Sequence, residues 1–141
     1  MKKETDDQAG ATGSCLCGAV HYRINSPVGD VTACHCSQCR KQTGHFLAAV
    51  HAEWEDVDVD GKEHLTWYAS SPHAERVFCS VCGSPLFWVS PEYGTGVMAG
   101  SLDKPTGARL TKHIFVADKG DYYDITDGLP QFDGDAKPDR E

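Results

Sequence analysis

Seven cysteines fall in three groups along this chain: Cys15-Leu16-Cys17-Gly18, Cys34-His35-Cys36-Ser37-Gln38-Cys39, and Cys79-Ser80-Val81-Cys82-Gly83. The outer groups are short pairs, each followed by glycine, and the middle group is a compact triplet. Four thiolates close a tetrahedral metal shell, whereas three leave one position open. In zinc chemistry a closed shell is usually structural and an open one permits catalysis. The spacing therefore predicts two zinc ions: a structural one on Cys15, Cys17, Cys79 and Cys82, and a catalytic one on Cys34, Cys36 and Cys39.

An odd number of cysteines excludes complete internal disulfide pairing. The N-terminal stretch, Met1 to Ala9, lacks the apolar core of a signal peptide. The expected compartment is the cytoplasm, where thiols stay free or bind metal. Cysteines so close together also make poor crosslinks, because the loop they would close is tiny.

The quartet joins two distant parts of the chain. Glycine after each pair accepts backbone angles closed to other residues and lets the turn wrap an ion. A structural zinc contributes on the order of 10–16 kcal/mol of apparent binding energy. That matches the whole stability of a typical domain, about 5–15 kcal/mol, so loss of this metal is expected to unfold the protein.

The triplet can converge on one ion if the chain turns tightly into a short helix, whose N-terminus favours thiolate over thiol. No eighth cysteine completes the shell, so the fourth ligand is a histidine, a carboxylate, water or substrate. His35 sits between two ligands and would strain the loop to reach the same ion. It reads better as a hydrogen-bonding or pocket-lining residue. His45, His51 and His113 read as ordinary polar or half-buried groups. Three thiolates and a zinc dication sum to a single negative charge, a weaker Lewis acid than zinc on neutral imidazoles. The natural incoming ligand is then a soft sulfur, which the metal holds as thiolate.

The elements that must hold these groups are short. A chain of 141 residues, 40% hydrophobic and 24% charged, reads as one globular domain. No apolar run approaches the roughly 20 residues of a membrane span, so no membrane role is expected. A net charge of -8 argues against nucleic acid as partner. Arg40 and Lys41 beside the triplet are either solvated or an anion-binding pair.

Residues 1–12 and 133–141 are polar and acidic and read as disordered, leaving 13–132 as the domain. Val20, Tyr22 and Ile24 alternate with polar residues, the mark of a strand. Asn25 to Asp30 supplies turn chemistry. Further strands are expected at His45–His51, Val57–Val59, Leu65–Ala69, Arg76–Cys79, Pro85–Val89, Val97–Ala99, His113–Val116 and Tyr122–Ile125. Leu65, Trp67 and Ala69 would share one face. The best helix candidate is Ser37 to Thr43, with Ser37 as N-cap and Gly44 past its end. Many short strands split by Gly, Pro, Asp and Asn predict an all-β class with at most short helical turns.

Taken together, the stretches Gly13-Ser-Cys-Leu-Cys-Gly-Ala-Val20, Cys34-His-Cys-Ser-Gln-Cys-Arg-Lys41 with Thr43-Gly44, and Phe78-Cys-Ser-Val-Cys-Gly83 resemble the glutathione-dependent formaldehyde-activating enzymes, a family that includes centromere protein V-like domains. His113-Ile-Phe-Val-Ala-Asp-Lys119 and Asp127-Gly-Leu-Pro-Gln-Phe132 resemble that family's C-terminal signature. The likeness covers about Gly13 to Phe132. It implies a compact fold of several coiled antiparallel sheets and two zinc ions, with the outer cysteines on the structural ion and the triplet on the catalytic one. It also implies carbon–sulfur lyase activity: the reversible addition of glutathione to formaldehyde to give S-(hydroxymethyl)glutathione, or action on a related small thiol adduct. Arg40 and Lys41 could then meet glutathione carboxylates.

A rival reading is a zinc-stabilised interaction module without turnover, with Phe46, Trp54, Trp67, Phe87 and Trp88 as a partner surface, although core packing is the commoner use of such residues. A redox sensor, resting on thiol density, ranks third.

Overall fold

The structure, a computed structural model, describes residues 11–136. Its strands are β1 (Thr12–Ser14), β2 (His21–Ile24), β3 (Asp30–Cys34), β4 (Leu47–Ala52), β5 (Val57–Asp60), β6 (Leu65–Ser71), β7 (Ala74–Cys79), β8 (Pro85–Ser90), β9 (Gly94–Met98) and β10 (Arg109–Ile114). Among the described residues one α-helix, α1 (Ser37–Thr43), interrupts them. The fold is all-β, as the short alternating segments predict.

Two open sheets form. The smaller has the order β1-β2-β5, and the larger β10-β3-β4-β9-β8-β7-β6. Antiparallel pairing dominates, with one exception that the expectation of antiparallel sheets missed: β10 runs parallel to β3, Ile114 beside Cys34. In the small sheet Tyr22 faces Val59 and Ile24 faces Val57. Period-two alternation in β2 therefore drives Tyr22 and Ile24 inward, while His21 and Arg23 stay exposed.

The core lies where the sheets meet. Val20, Ile24, Val77, Leu86 and Val97 are fully buried, each contributing roughly 1.5–3 kcal/mol of transfer free energy. Phe87 receives Tyr22 edge-on at 5.2 Å and Trp54 at 5.3 Å, and Trp54 meets Trp67 at right angles. Phe87 is thus core and Trp54 half-buried, so the aromatic residues of the rival reading do not make one continuous surface.

Several expectations shift. Tyr122–Ile125 forms no strand: Tyr122 belongs to a turn, the following residues run as irregular chain, and the Tyr123 carbonyl accepts from Lys119 Nζ. β3 is not among the expected strands, and only its first residue, Asp30, falls in the segment read as a turn. β4 begins at Leu47, two residues after His45, and β10 ends at Ile114, with Val116 in a 3-10 turn. The face shared by Leu65, Trp67 and Ala69 is not buried, since β6 is the edge of the large sheet and Trp67 is 41% exposed. The helix spans the expected residues, but its N-cap is Cys36, not Ser37.

At the termini, residues 1–10 and 137–141 of the polar ends lie outside the described residues. Ala11 and Thr12 are paired onto β2, with the Ala11 carbonyl accepting from Ile24. Residues 133–136 lie against the end of β10, where the Gly134 carbonyl accepts from Phe115. Among the described residues no helix is long and apolar enough to cross a membrane.

Candidate metal centres

Two turns of matching design carry the quartet. In the first, after β1, the Cys15 amide donates to the Val20 carbonyl and the Gly18 amide to the Cys15 carbonyl. In the second, between β7 and β8, the Cys79 amide donates to Ser84 and the Gly83 amide to the Cys79 carbonyl. Each turn also points an amide at its first sulfur: Val20 N–H at Cys15 Sγ and Val81 N–H at Cys79 Sγ, both at 3.3 Å. Such N–H···S contacts stabilise the anionic form of the sulfur. Gly18 and Gly83 close the turns with φ of 84° and 80°, the left-handed region.

Ser84 joins the turns. Its hydroxyl accepts from the Leu16 amide and lies 3.1 Å from Cys82 Sγ. Ser84, through its hydroxyl and then its backbone amide, holds the Cys82 thiol down to about 5. The four sulfurs all fall within 4.8 Å of one another. Tetrahedral zinc–thiolate geometry, with bonds near 2.3 Å, separates sulfurs by about 3.8 Å. Cys15 and Cys17 stand 3.7 Å apart, and Cys17 and Cys79 3.8 Å. The quartet therefore fits such an ion.

The triplet is built where a strand becomes a helix. Cys34 ends β3, clamped between Leu47 of β4 and Ile114 of β10. Cys36 caps α1, its sulfur accepting the Cys39 amide at 3.3 Å. Cys39 lies in the first turn and is buried. These sulfurs too lie within 4.8 Å of one another. Hydrogen bonds from Cys34 and Cys39 push the Cys36 thiol down to about 2, and its sulfur in turn drives Cys34 far upward. Cys39 is pulled down by Cys34 but raised overall, beside Cys36 and by burial. Three sulfurs this close cannot all ionise alone; a shared cation removes the conflict. All seven cysteines are free of disulfides.

Sequence reasoning missed one neighbour of the triplet. Arg76 of β7, only 5% exposed, directs Nη1 and Nη2 at Cys39 Sγ at 3.8 and 3.7 Å. Its only signal in the sequence is a cation directly before the apolar run Val77-Phe78-Cys79. Arg40 and Lys41, the cations singled out instead, diverge: Arg40 Nε donates to the Asp118 carbonyl, and Lys41 is exposed.

His35 points away from the sulfurs on either side of it. It is buried, with Nε2 2.9 Å from His113 Nδ1 and Nδ1 2.5 Å from the Tyr123 hydroxyl. His113 Nε2 reaches Asp127 Oδ2 at 2.8 Å. His45 lies on the surface beside Tyr122, and His51 pairs with Glu53. None of these histidines joins a group of sulfurs.

A groove of about 560 Å³ runs between the first cysteine turn and the end of α1, lined by Cys15, Leu16, Gln42, Phe46, Leu47 and Met98 among others, with no charged side chain. Leu47 and Met98 also pack on Cys39, so the groove and the triplet share a wall.

Residues 10–118 match the family model described as glutathione-dependent formaldehyde-activating enzyme. The chain belongs to this family. A relative from Halomonas elongata, named "Putative glutathione-dependent formaldehyde-activating enzyme", is 33% identical over 125 residues, covering 80% of this chain and 79% of its own. A Schizosaccharomyces pombe relative, named an uncharacterized lyase, is 27% identical over 125 residues, covering 85% of this chain and 88% of its own. A crystal structure of a Rhodobacter sphaeroides protein shares the fold, with a TM-score of 0.58 at 23% identity, covering 85% of this chain and 98% of that one. In this member of the family, the cysteine groups that carry the sequence likeness are the ones that converge in space.

Proposed function

We propose that the protein is a zinc-dependent carbon–sulfur lyase that adds the glutathione thiol reversibly to formaldehyde, giving S-(hydroxymethyl)glutathione. In the addition a sulfur–carbon bond forms, the carbonyl π pair moves to oxygen, and that oxygen takes up the proton the thiol gives up. The reading places the structural ion on Cys15, Cys17, Cys79 and Cys82 and the catalytic ion on Cys34, Cys36 and Cys39. When bound to the triplet, zinc supplies a site at which an incoming thiol ionises.

The observation that carries the reading is the composition of the second centre. Three sulfurs converge there, and among the described residues no histidine or carboxylate joins them. The chain's residues do the rest. Cys36 Sγ, held by the Cys39 amide, fixes the helix start so that the sulfurs keep their mutual positions. Leu47, Met98 and Trp88 pack around Cys39 and wall the buried side of the triplet, while Cys34 and Cys36 stay partly exposed. The adjoining groove has the volume of a small-molecule site, and holding both reactants there would supply rate by proximity.

The family match and the lyase-named relative support the same reaction class. Exchange NMR on glutathione and formaldehyde, with and without metal-loaded protein, tests it. Adduct formation and breakdown should accelerate with the protein and return to the uncatalysed rate with Cys36→Ser. Fully metal-loaded protein that leaves the exchange rate unchanged would refute the assignment.

A further inference from the structure

Arg76 is a buried cation without a carboxylate. Its Nε donates to Ser70 Oγ at 3.1 Å, Nη1 to Gln42 Oε1 at 2.9 Å, and Nη2 to Gln38 Oε1 at 3.3 Å. These partners are neutral. Among the described residues no acidic side chain pairs with it. The one remaining partner is Cys39 Sγ, approached by both terminal nitrogens. Burying a guanidinium without a counter-charge is costly, so the sulfur group is its counter-ion.

The arrangement is specific. Gln38 and Gln42 flank Cys39 on α1, one residue before it and three after, and their amide oxygens accept from the two ends of the same guanidinium. The fork is thereby aimed at the sulfur between them, and the planar group of arginine suits this where the single ammonium of lysine does not. Such a fixed charge matters most for an incoming anion. Three thiolates around a dication already carry one negative charge, and a fourth thiolate would double it in a buried setting.

We propose that Arg76 is a positioning residue whose charge, aimed at Cys39 by Gln38 and Gln42, offsets the triplet's negative charge and so lets that centre accept an anionic sulfur ligand. The inference rests on the reading that a thiol enters the triplet's shell, and its test separates the two. The full chain loaded with cobalt is titrated with 2-mercaptoethanol while the cobalt absorption is followed. If the wild-type spectrum ignores the thiol, the underlying reading fails. If the wild type responds, Arg76→Met should weaken thiol entry by about tenfold or more, with cobalt stoichiometry unchanged. Arg76→Lys should recover part of the affinity, because it keeps the charge though not the fork. Equal affinity in wild type and Arg76→Met, or equal loss in the Met and Lys variants, overturns the proposal. Should Arg76→Met fail to fold, the double variant Gln38→Ala/Gln42→Ala removes the aiming oxygens while leaving the buried arginine; weakened thiol entry supports the proposal and an unchanged titration overturns it.

Discussion

His35 and His113 lie 78 positions apart, and their rings meet at 2.9 Å, Nε2 against Nδ1, both buried. Burial first, and the neighbouring His113 second, depress the His35 pKa to about 4, so its ring is neutral at pH 7. The Asp127 carboxylate sets the direction of the whole chain, because it can only accept, and a His113 tautomer with its proton on Nε2 leaves Nδ1 to accept from His35. His113 donates Nε2–H to Asp127, His35 donates Nε2–H to His113, and Tyr123 donates its hydroxyl to His35. The residue between two triplet sulfurs is thus fastened to the C-terminal segment, and the sulfurs beside it turn the other way.

Removing the middle of that chain should loosen the triplet. His113→Ala leaves His35 Nε2 buried and unpaired, and we expect a loss of about 2–4 kcal/mol in unfolding free energy. Urea denaturation measures it. A loss under about 0.5 kcal/mol, the size of an ordinary surface change, would show that the pair is incidental.

Asp127 gives the chain a pH signature. The Leu129 amide, and then His113, hold its carboxyl below the usual carboxylate value. A depressed folded-state pKa contributes stability that is complete above the unfolded value, near 3.9, and fades as pH falls through the lower folded value. Asp127→Asn should therefore be less stable than wild type at pH 7, with the gap closing below about pH 4. Chemical denaturation at a series of pH values checks this, and a gap that widens in acid would contradict it.

The sequence made the cysteine grouping legible because metal ligands leave a local record: short spacings, a glycine beyond each outer pair, and an odd total. The helix was legible from Gly44, whose φ of 87° ends it. Its cap was not, since cysteine rarely serves as one and here the sulfur does so while belonging to the triplet. Arg76 and the His113–Asp127 pairing escaped for a different reason. Their meaning lies in contacts across the fold, 37 residues from Arg76 to Cys39 and 78 from His113 to His35, and no local pattern encodes them. Tyr122–Ile125 misled because it has strand composition without a partner edge.

Two glycines should respond differently to one methyl group. At Gly83 a Cβ would meet nothing within 4 Å, so Gly83→Ala suffers only from its φ of 80°, a strain of about 1–2 kcal/mol. At Gly13 a Cβ would lie 2.3 Å from the Tyr22 hydroxyl and 2.4 Å from the Ser101 carbonyl. Tyr22 is itself tied to Ser101 Oγ at 2.5 Å, so the neighbour cannot swing aside cheaply. Gly13→Ala should cost the more, above about 2 kcal/mol, in the range of overpacked cores. Thermal melts of the two variants rank them, and the reverse order would deny the close approach of β1 to Ser101.

Metal removal should separate the two centres. The quartet joins the turn after β1 to the turn between β7 and β8, and among its members Cys15 and Cys79 are buried beside the main core. An ion there would tie the small sheet to the large one, so stripping it should abolish the cooperative melt. The triplet lies at one end of β3 and α1, already clamped by β4, β10 and the His35 chain. Losing that ion should leave the fold standing. Cys82→Ser should then lower the melting temperature by 10 °C or more, the shift roughly expected when about 3 kcal/mol is lost from a domain of this size. Cys36→Ser should shift it by no more than about 4 °C, the effect of roughly 1 kcal/mol, while ending the exchange of glutathione with formaldehyde. Calorimetry paired with metal analysis reads both variants, and equal damage from the two would erase the division between a centre that fastens the sheets and one that receives a ligand.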